Sequence, residues 1–483
     1  MLFSPRIGRW LRIALLVAVP LTALVVWLSI QPATRMATPD GDRFFVNSLL
    51  YDEFDLSAMA LRGLNAVSGR QAGRLSPPED AYDETFHEKL LTKPPLEKRY
   101  FLEYPHAILL LFRSGWWLQP SEAAAAQTGV ILDSDYHNLA IFRPHTPEQS
   151  VIMRGFVRSS RYYVVVMVIC LLALIAVLEW GYGPRARLRG GALMLLLPAA
   201  IFFTLNRYDV IPALCTALSF ALLGRDRHRA SAFALAVGVL FKVYPILFAP
   251  FVLRYLWTDR KAAIRWATTF AATGLLAFMP LLFGADLQAV LAPYLYQFSR
   301  PPEPSMTIYG CLLPEAAAGG AFGAIFRLGT LGVVTAALLL EPITSIASIL
   351  RRSAMVLVVF VSLAVFYSPQ WILWFAPLLL PLVAQSRRLG WTIGALDAVT
   401  YMTFPIWYWL VVPIGYWLLQ ENGEWNIQLF RGLGGVLRLA RFAVCGVLAW
   451  QLLNLEWPKL FQHTWLARRV LPALAQLFSR RPM

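Results

Sequence analysis

Residues 230–257 read ASAFALAVGVLFKVYPILFAPFVLRYLW. The run is long and apolar enough for a bilayer, whose core needs about 20 such residues per helix. It starts beside one basic connection, Arg225, Arg227, His228 and Arg229, and ends at another, Arg254 to Arg265. Short basic connections mark the cytoplasmic face. One straight span cannot begin and end on the same face. Two short helices meeting near Lys242-Val243-Tyr244-Pro245 resolve the parity, and Pro245 gives the break its cause, because a proline ring clashes with the preceding helical turn. Irregular backbone at membrane depth is tolerated where it lines a polar cavity. The stretch therefore predicts an all-α polytopic membrane protein whose polar chemistry gathers at the non-cytoplasmic helix ends.

Composition agrees. Hydrophobic types make up 58% of the 483 residues and charged types 15%, too few charges for a soluble surface of this size. The net charge of +15 suggests nucleic acid until its placement is considered. Lys and Arg cluster between apolar runs, as a membrane topology requires, so no nucleic-acid partner is expected and membrane lipids are. Cys170, Cys215, Cys311 and Cys445 are far apart in sequence and show neither metal spacing nor a disulfide framework.

Threading outward from the opening stretch gives about twelve spans in one domain, 1–483, with both termini cytoplasmic. The run Trp10 to Ile30 follows Arg6, Arg9 and Arg12. It is long for a signal segment and lacks a clean cleavage site, so it reads as a retained first span. A first external loop, 31–160, holds most of the acidic residues; its one apolar piece, Pro105 to Leu118, carries Trp116 and Trp117 and fits the interface. Later spans, such as Tyr162–Trp180, return to Arg185, Arg187 and Arg189, or exit at Asn206-Arg207-Tyr208-Asp209. A second external loop, 284–320, follows Trp266–Phe283. Phe322–Leu340 comes in to Arg351 and Arg352, Met355–Phe366 goes out, and Ser368-Pro369-Gln370 turns tightly. A last span, about Leu439–Leu455, returns to a basic C-terminal stretch.

On this topology the notable polar residues share one face. Asp40, Asp42, Asp52, Asp55 and Glu103 fall in the first external loop, Arg207 and Asp209 at a helix end, Lys242 at the break, Arg300 and Ser305 in the second loop, and Gln370 at the turn. Carboxylates beside cations suit a reaction on a phosphate-bearing lipid: a carboxylate takes the proton of an acceptor hydroxyl, and Lys and Arg stabilise a departing phosphate. Each residue also has a plainer role. Loop carboxylates are usually solvated. Arg207 and Asp209 either pair structurally or cap a helix. Lys242 either snorkels or, lying inside an apolar run at a break, serves function. Trp371 and Trp374 suit an aromatic belt or core.

The same residues carry a family resemblance. Arg207-Tyr208-Asp209-Val210-Ile211-Pro212-Ala213-Leu214, a basic turn, then Lys242-Val243-Tyr244-Pro245 resembles the central signature of bacterial membrane glycosyltransferases of the C-type superfamily, which include polyprenyl-phosphate-mannose-dependent α-mannosyltransferases. The stretch from Ser368 to Pro377 (SPQWILWFAP) resembles a second family segment and Arg300-Pro301-Pro302-Glu303-Pro304-Ser305 a third. Glu103-Tyr104-Pro105 is similar to the element closing the family's first loop. These matches run in family order through most of the chain.

The resemblance implies transfer of a sugar, with inversion, from a polyprenyl-phosphate donor to an external lipid or glycan acceptor. It implies no cofactor and no metal. The family's general base is a first-loop aspartate. Asp52 stands at about the right interval before Ala58 and Ala60, with Asp55 beside it, and Asp40 and Asp42 are alternatives. This loop departs from the family in its length, with an inserted polar section around Arg74 to Lys98. Lys242, Arg207 and Arg300 are the implied ligands of the donor phosphate, and Asp209, Tyr244, Glu103, Tyr104, Ser305 and Gln370 the remaining substrate contacts. The rival function is a transporter or flippase of lipid-linked sugars. It would place polar residues at mid-membrane in several spans, whereas Glu341 and Asp397 are isolated exceptions.

Overall fold

The computed structural model describes residues 34–38, 41–45, 141–142, 147–181, 191–283, 320–411 and 425–457, together with single positions at 105, 107–108, 111, 114, 287, 290–291, 294, 307–309 and 313. A small antiparallel sheet comes first. Strands β1 (Thr34–Thr38), β2 (Gly41–Phe45) and β3 (Ile141–Phe142) pair in that order. All else of length is helix: α1 (Pro147–Ala176), α2 (Pro198–Asn206), α3 (Val210–Leu223), α4 (His228–Phe241), α5 (Ala249–Leu256), α6 (Arg260–Gly274), α7 (Gly320–Leu339), α8 (Ile346–Leu363), α9 (Ile372–Leu379), α10 (Arg387–Tyr401) and α11 (Trp425–Glu456).

Among the described residues five helices are long and apolar enough to cross a membrane: Tyr162–Glu179, Arg260–Met279, Phe322–Leu339, Ile346–Leu363 and Gly434–Glu456. Shorter apolar helices fill the space between them. The outer helices turn large apolar side chains outward. Phe322, Ile325 and Val333 on α7 are each 70% exposed. Water would penalise such a surface and lipid does not. Helix α8 is the most enclosed of the five.

The opening stretch of sequence breaks where expected. Helix α4 ends at Phe241, Lys242 is extended (φ −158°, ψ 134°), and a 3-10 turn, Tyr244–Phe248, leads into α5. Helices α3 and α4 form a hairpin whose tight turn uses Asp226 in the left-handed region (φ 59°), a conformation open to Asp because its short side chain hydrogen-bonds locally. Small residues let the two helices approach closely, as in lipid generally. A Cβ on Gly238 would stand 3.1 Å from the Cys215 Cβ. Ser219 and Ser231 hydroxyls meet across the seam at 3.0 Å, and the Trp266 indole donates to Ser231 Oγ, tying α6 to the hairpin.

Two charges isolated in the sequence have structural partners. Asp397 on α10 is buried and accepts from the backbone N–H groups of Ala199 (3.1 Å) and Ala200 (2.9 Å). These are the orphan donors of the first turn of α2, whose own N-cap, Leu197, offers no side-chain acceptor. The carboxylate is a cap supplied from another helix. Glu341 accepts from the Trp457 indole.

Arg351 and Arg352, expected at the cytoplasmic start of a span, lie inside α8, which begins at Ile346 under a Ser345 cap. Arg352 is 2% exposed. It donates to Glu456 of α11 at 2.9 Å, to the carbonyl of Leu338 in the last turn of α7, and to those of Glu341 and Pro342 just past its end. Arg351 also reaches Glu456, and Ser348 hydrogen-bonds it. This cluster ties α7, α8 and α11 together.

Two outcomes follow for stability in detergent. Asp397→Leu is expected to cost about 2–4 kcal/mol, because two charge-assisted hydrogen bonds are lost, with Asp397→Asn costing less. Glu456→Ala, which removes the counter-ion of two arginines, is expected to cost about 3–5 kcal/mol. Chemical-unfolding midpoints of the purified variants measure both.

Candidate functional site

The α3–α4 hairpin turns at Arg225–Arg227, so its other end brings Asp209 and Lys242 together. Arg207 and Tyr208 precede α3, and Asp209 occupies its N-cap position. The Asp209 carboxylate does not cap the helix. Its Oδ1 accepts from Lys242 Nζ at 2.8 Å and from the Trp374 indole N–H. The open choice at Asp209 is thus resolved in favour of a third arrangement, an ion pair with a residue 33 positions away.

Burial makes the pair consequential. The Asp209 side chain is fully buried and that of Lys242 only 16% exposed. An ammonium removed from water loses several kcal/mol of hydration, which its partner must offset. Aromatic faces add to this. Lys242 Nζ stands 4.8 Å from the centroid of the Tyr208 ring and 5.3 Å from that of Trp374, within cation–π range. Tyr244, two residues past Lys242, lies flat on Trp374 with centroids 4.2 Å apart and planes 7° from parallel.

Trp374 belongs to the turn segment. Ser368-Pro369-Gln370 leads through a 3-10 turn, Pro369–Trp371, into α9. Gln370 and Trp374 are four residues apart, so they share a face. Trp371 stacks on Trp374 at 4.7 Å. Gln370 is buried, and among the described residues nothing donates to its Oε1. The same holds for Asp209 Oδ2. Buried acceptors in native proteins are rarely left without donors, and these two lie on segments that the Trp374–Asp209 hydrogen bond joins.

Tyr309, in the stretch 284–320, is fully buried, packs on Val365 and Phe366, and donates to Leu363 O at 2.9 Å, at the end of α8 and beside the turn. In the first loop Ile108 packs into the main core, and the Ser114 and Tyr162 hydroxyls are 3.2 Å apart. The apolar piece expected at the interface thus contributes to the bundle.

The structure brings together Asp209, Lys242 and Tyr244, with Arg207 in the segment of Asp209 and Gln370 in that of Trp374. Asp42 lies on β2, its backbone paired with Ala37. Asp40, Asp52, Asp55, Glu103, Tyr104, Arg300 and Ser305 lie outside the described residues. Among the described residues no three His, Cys, Asp or Glu side chains gather as a metal would need.

Sequence reading missed three contributors. Trp374 was assigned to belt or core and is a hydrogen-bond donor to Asp209. Tyr208 supplies a ring face to Lys242. Arg441, 3% exposed on α11, lies over the Tyr367 ring, its Cζ 3.5 Å from the centroid. An arginine inside the span Leu439–Leu455 was the available signal, since ionisable residues within spans are costly. No protein-family model, no curated protein and no solved structure matches the chain.

The pair is testable by itself. Asp209→Ala and Lys242→Met are each expected to cost about 3–5 kcal/mol, because each leaves a buried charge without its counterion. The double variant Asp209→Ala/Lys242→Met should cost less than the two together, as for residues in contact. A double-mutant cycle on unfolding in detergent reads the coupling.

Proposed function

We propose that this protein is an inverting membrane glycosyltransferase that moves a sugar, in our reading mannose, from a polyprenyl-phosphate donor to an external lipid or glycan acceptor. One observation carries the reading. The segments on which the resemblance to C-type glycosyltransferases rests are far apart in sequence, yet residues of two of them, Asp209 and Lys242-Tyr244 of the central signature and Trp374 of the second, meet in one buried cluster. Local sequence chance would not make separate segments converge.

The chemistry follows from the groups involved. A first-loop aspartate, Asp52 or Asp55 with Asp40 and Asp42 as alternatives, takes the proton of the acceptor hydroxyl. The hydroxyl oxygen forms a bond to the anomeric carbon as the bond from that carbon to the phosphate oxygen breaks. The electron pair leaves with the polyprenyl phosphate. Direct displacement inverts the anomeric centre and needs one base. A phosphate leaves without a general acid. Lys242, Arg207 and Arg300 stabilise the charge on the departing phosphate. Asp209 and Trp374 hold Lys242 in place, while Gln370 and the remaining oxygen of Asp209 accept from sugar hydroxyls.

Depth supports this arrangement. Helices α3 and α4 have 14 residues each, about 21 Å at 1.5 Å per residue, against a hydrocarbon layer of about 30 Å. A hairpin rooted by its basic turn at the cytoplasmic face ends short of the opposite surface. The cluster then sits in a recess of the outer leaflet, within reach of a lipid-linked donor arriving sideways. In this reading the protein is a bundle of about twelve spans in the plasma or inner membrane, with its active site external and both termini cytoplasmic.

Purified protein in nanodiscs, given radiolabelled polyprenyl-phosphate-mannose and an envelope-lipid extract, should move label to a new lipid or glycan. Lys242→Ala and one of Asp52→Ala or Asp55→Ala should lower the rate about 100-fold or more, the scale of a lost general base or charge stabiliser. Label that only crosses between leaflets of proteoliposomes, with no transfer, would reject the transferase and point to a flippase.

A further inference from the structure

We infer that Arg441 is a positioning residue for the Lys242–Asp209 pair, acting through a relay of three aromatic rings. The inference rests on the proposed glycosyltransferase reading only where it concerns transfer rates. The relay itself is a matter of packing.

Arg441 lies on α11, in an apolar helix, at 3% exposure. Its guanidinium sits over the face of Tyr367, with Cζ 3.5 Å from the ring centroid, and 5.0 Å from the ring of Phe442. The Tyr367 hydroxyl is 3.4 Å from Thr400 Oγ1 of α10. The ring is thus held on its face by one helix and at its tip by another. Tyr367 directly precedes the Ser368-Pro369-Gln370 turn. It meets Trp371 edge to face, with centroids 5.8 Å apart at 77°. Trp371 stacks on Trp374 at 4.7 Å, and Phe360 of α8 borders both tryptophans. Trp374 donates to the oxygen of Asp209 that holds Lys242. From Arg441 to Lys242 each ring touches the next.

Two physical arguments make this a device for position. Interiors are close-packed, so a displacement of one ring is passed to the ring it touches. A buried arginine is an expensive way to fill space, since a hydrophobic residue of similar volume is often equally stable or more so. A cation does something an alkyl group does not, because it holds the ring beneath it by cation–π attraction. Fixing Tyr367 sets Trp371 and Trp374, and Trp374 sets the carboxylate that orients Lys242. Helix α11, distant in sequence from every residue of the cluster, thereby tunes its geometry.

The experiment uses full-length protein labelled with 5-fluorotryptophan, with the 19F resonance of Trp374 assigned through Trp374→Phe. Arg441→Gln should move that resonance, and Arg441→Lys, which keeps a cation over the ring, should bring it back toward its original position. Tyr367→Leu should reproduce the effect of Arg441→Gln. The double variant Arg441→Gln/Tyr367→Leu should move it no further, because both act on one path. An unmoved Trp374 resonance in folded Arg441→Gln or in Tyr367→Leu overturns the inference, as do additive shifts in the double variant. Should Arg441→Gln not fold, Tyr367→Leu and Arg441→Lys decide by the same comparison. In the transfer assay the same variants should lower kcat about 100-fold, the scale of a small misplacement of a catalytic group, with a smaller change in KM for the donor. A wild-type protein without transferase activity rejects the proposed reaction and leaves the 19F comparison to judge the relay.

Discussion

An ammonium and a carboxylate set among aromatic rings and apolar helices stay together or lose several kcal/mol apart. The 2.8 Å contact between Lys242 and Asp209 imposes that condition on everything around it. It requires α3 and α4 to run antiparallel and in register, so that an N-terminal and a C-terminal residue coincide. It requires α4 to stop at Phe241, so that Lys242 faces inward from extended backbone. It also requires a third element, the turn before α9, to bring a neutral donor, Trp374, to the carboxylate. The hairpin seam of small residues and the proline after the break are the means by which the sequence satisfies these demands.

Two carboxylates elsewhere in the bundle show a different character. Glu456 is met by Arg351, Arg352 and Ser348, and Asp397 is met on both oxygens by the backbone of α2. These carboxylates are saturated, and their work is to bind helices to each other in a medium without water. At the Asp209 cluster, by contrast, a carboxylate oxygen and a glutamine oxygen remain buried and without donors among the described residues. A saturated network resists change. A cluster holding spare acceptors beside a cation has hydrogen-bonding capacity left over, and the proposed sugar donor would use it.

Asp397 also corrects an inference from hydropathy. A lone carboxylate in a span suggests a mid-membrane polar path of the kind a transporter uses. Here it substitutes for the N-cap that Leu197 cannot provide. Glu341 likewise has a protein partner, the Trp457 indole.

Hydropathy and charge placement by themselves determined that the chain carries helices long and apolar enough to cross a membrane, that Ala230–Trp257 breaks at Lys242, and that Arg207, Asp209, Lys242 and Gln370 are the polar residues near the breaks. Those are local properties: the length of an apolar run, the sign of the charges flanking it, and a proline where a helix must stop. Who pairs with whom was open, because an ion pair between residues 33 apart and an indole hydrogen bond across 165 positions leave no local pattern. Trp374 in sequence looks like any tryptophan of a membrane belt, and Arg441 like a stray charge in a span. Only the tertiary structure decided that Asp209 serves Lys242 and not the helix it begins, because a buried charge selects its partner by distance in space, which packing sets and sequence order does not.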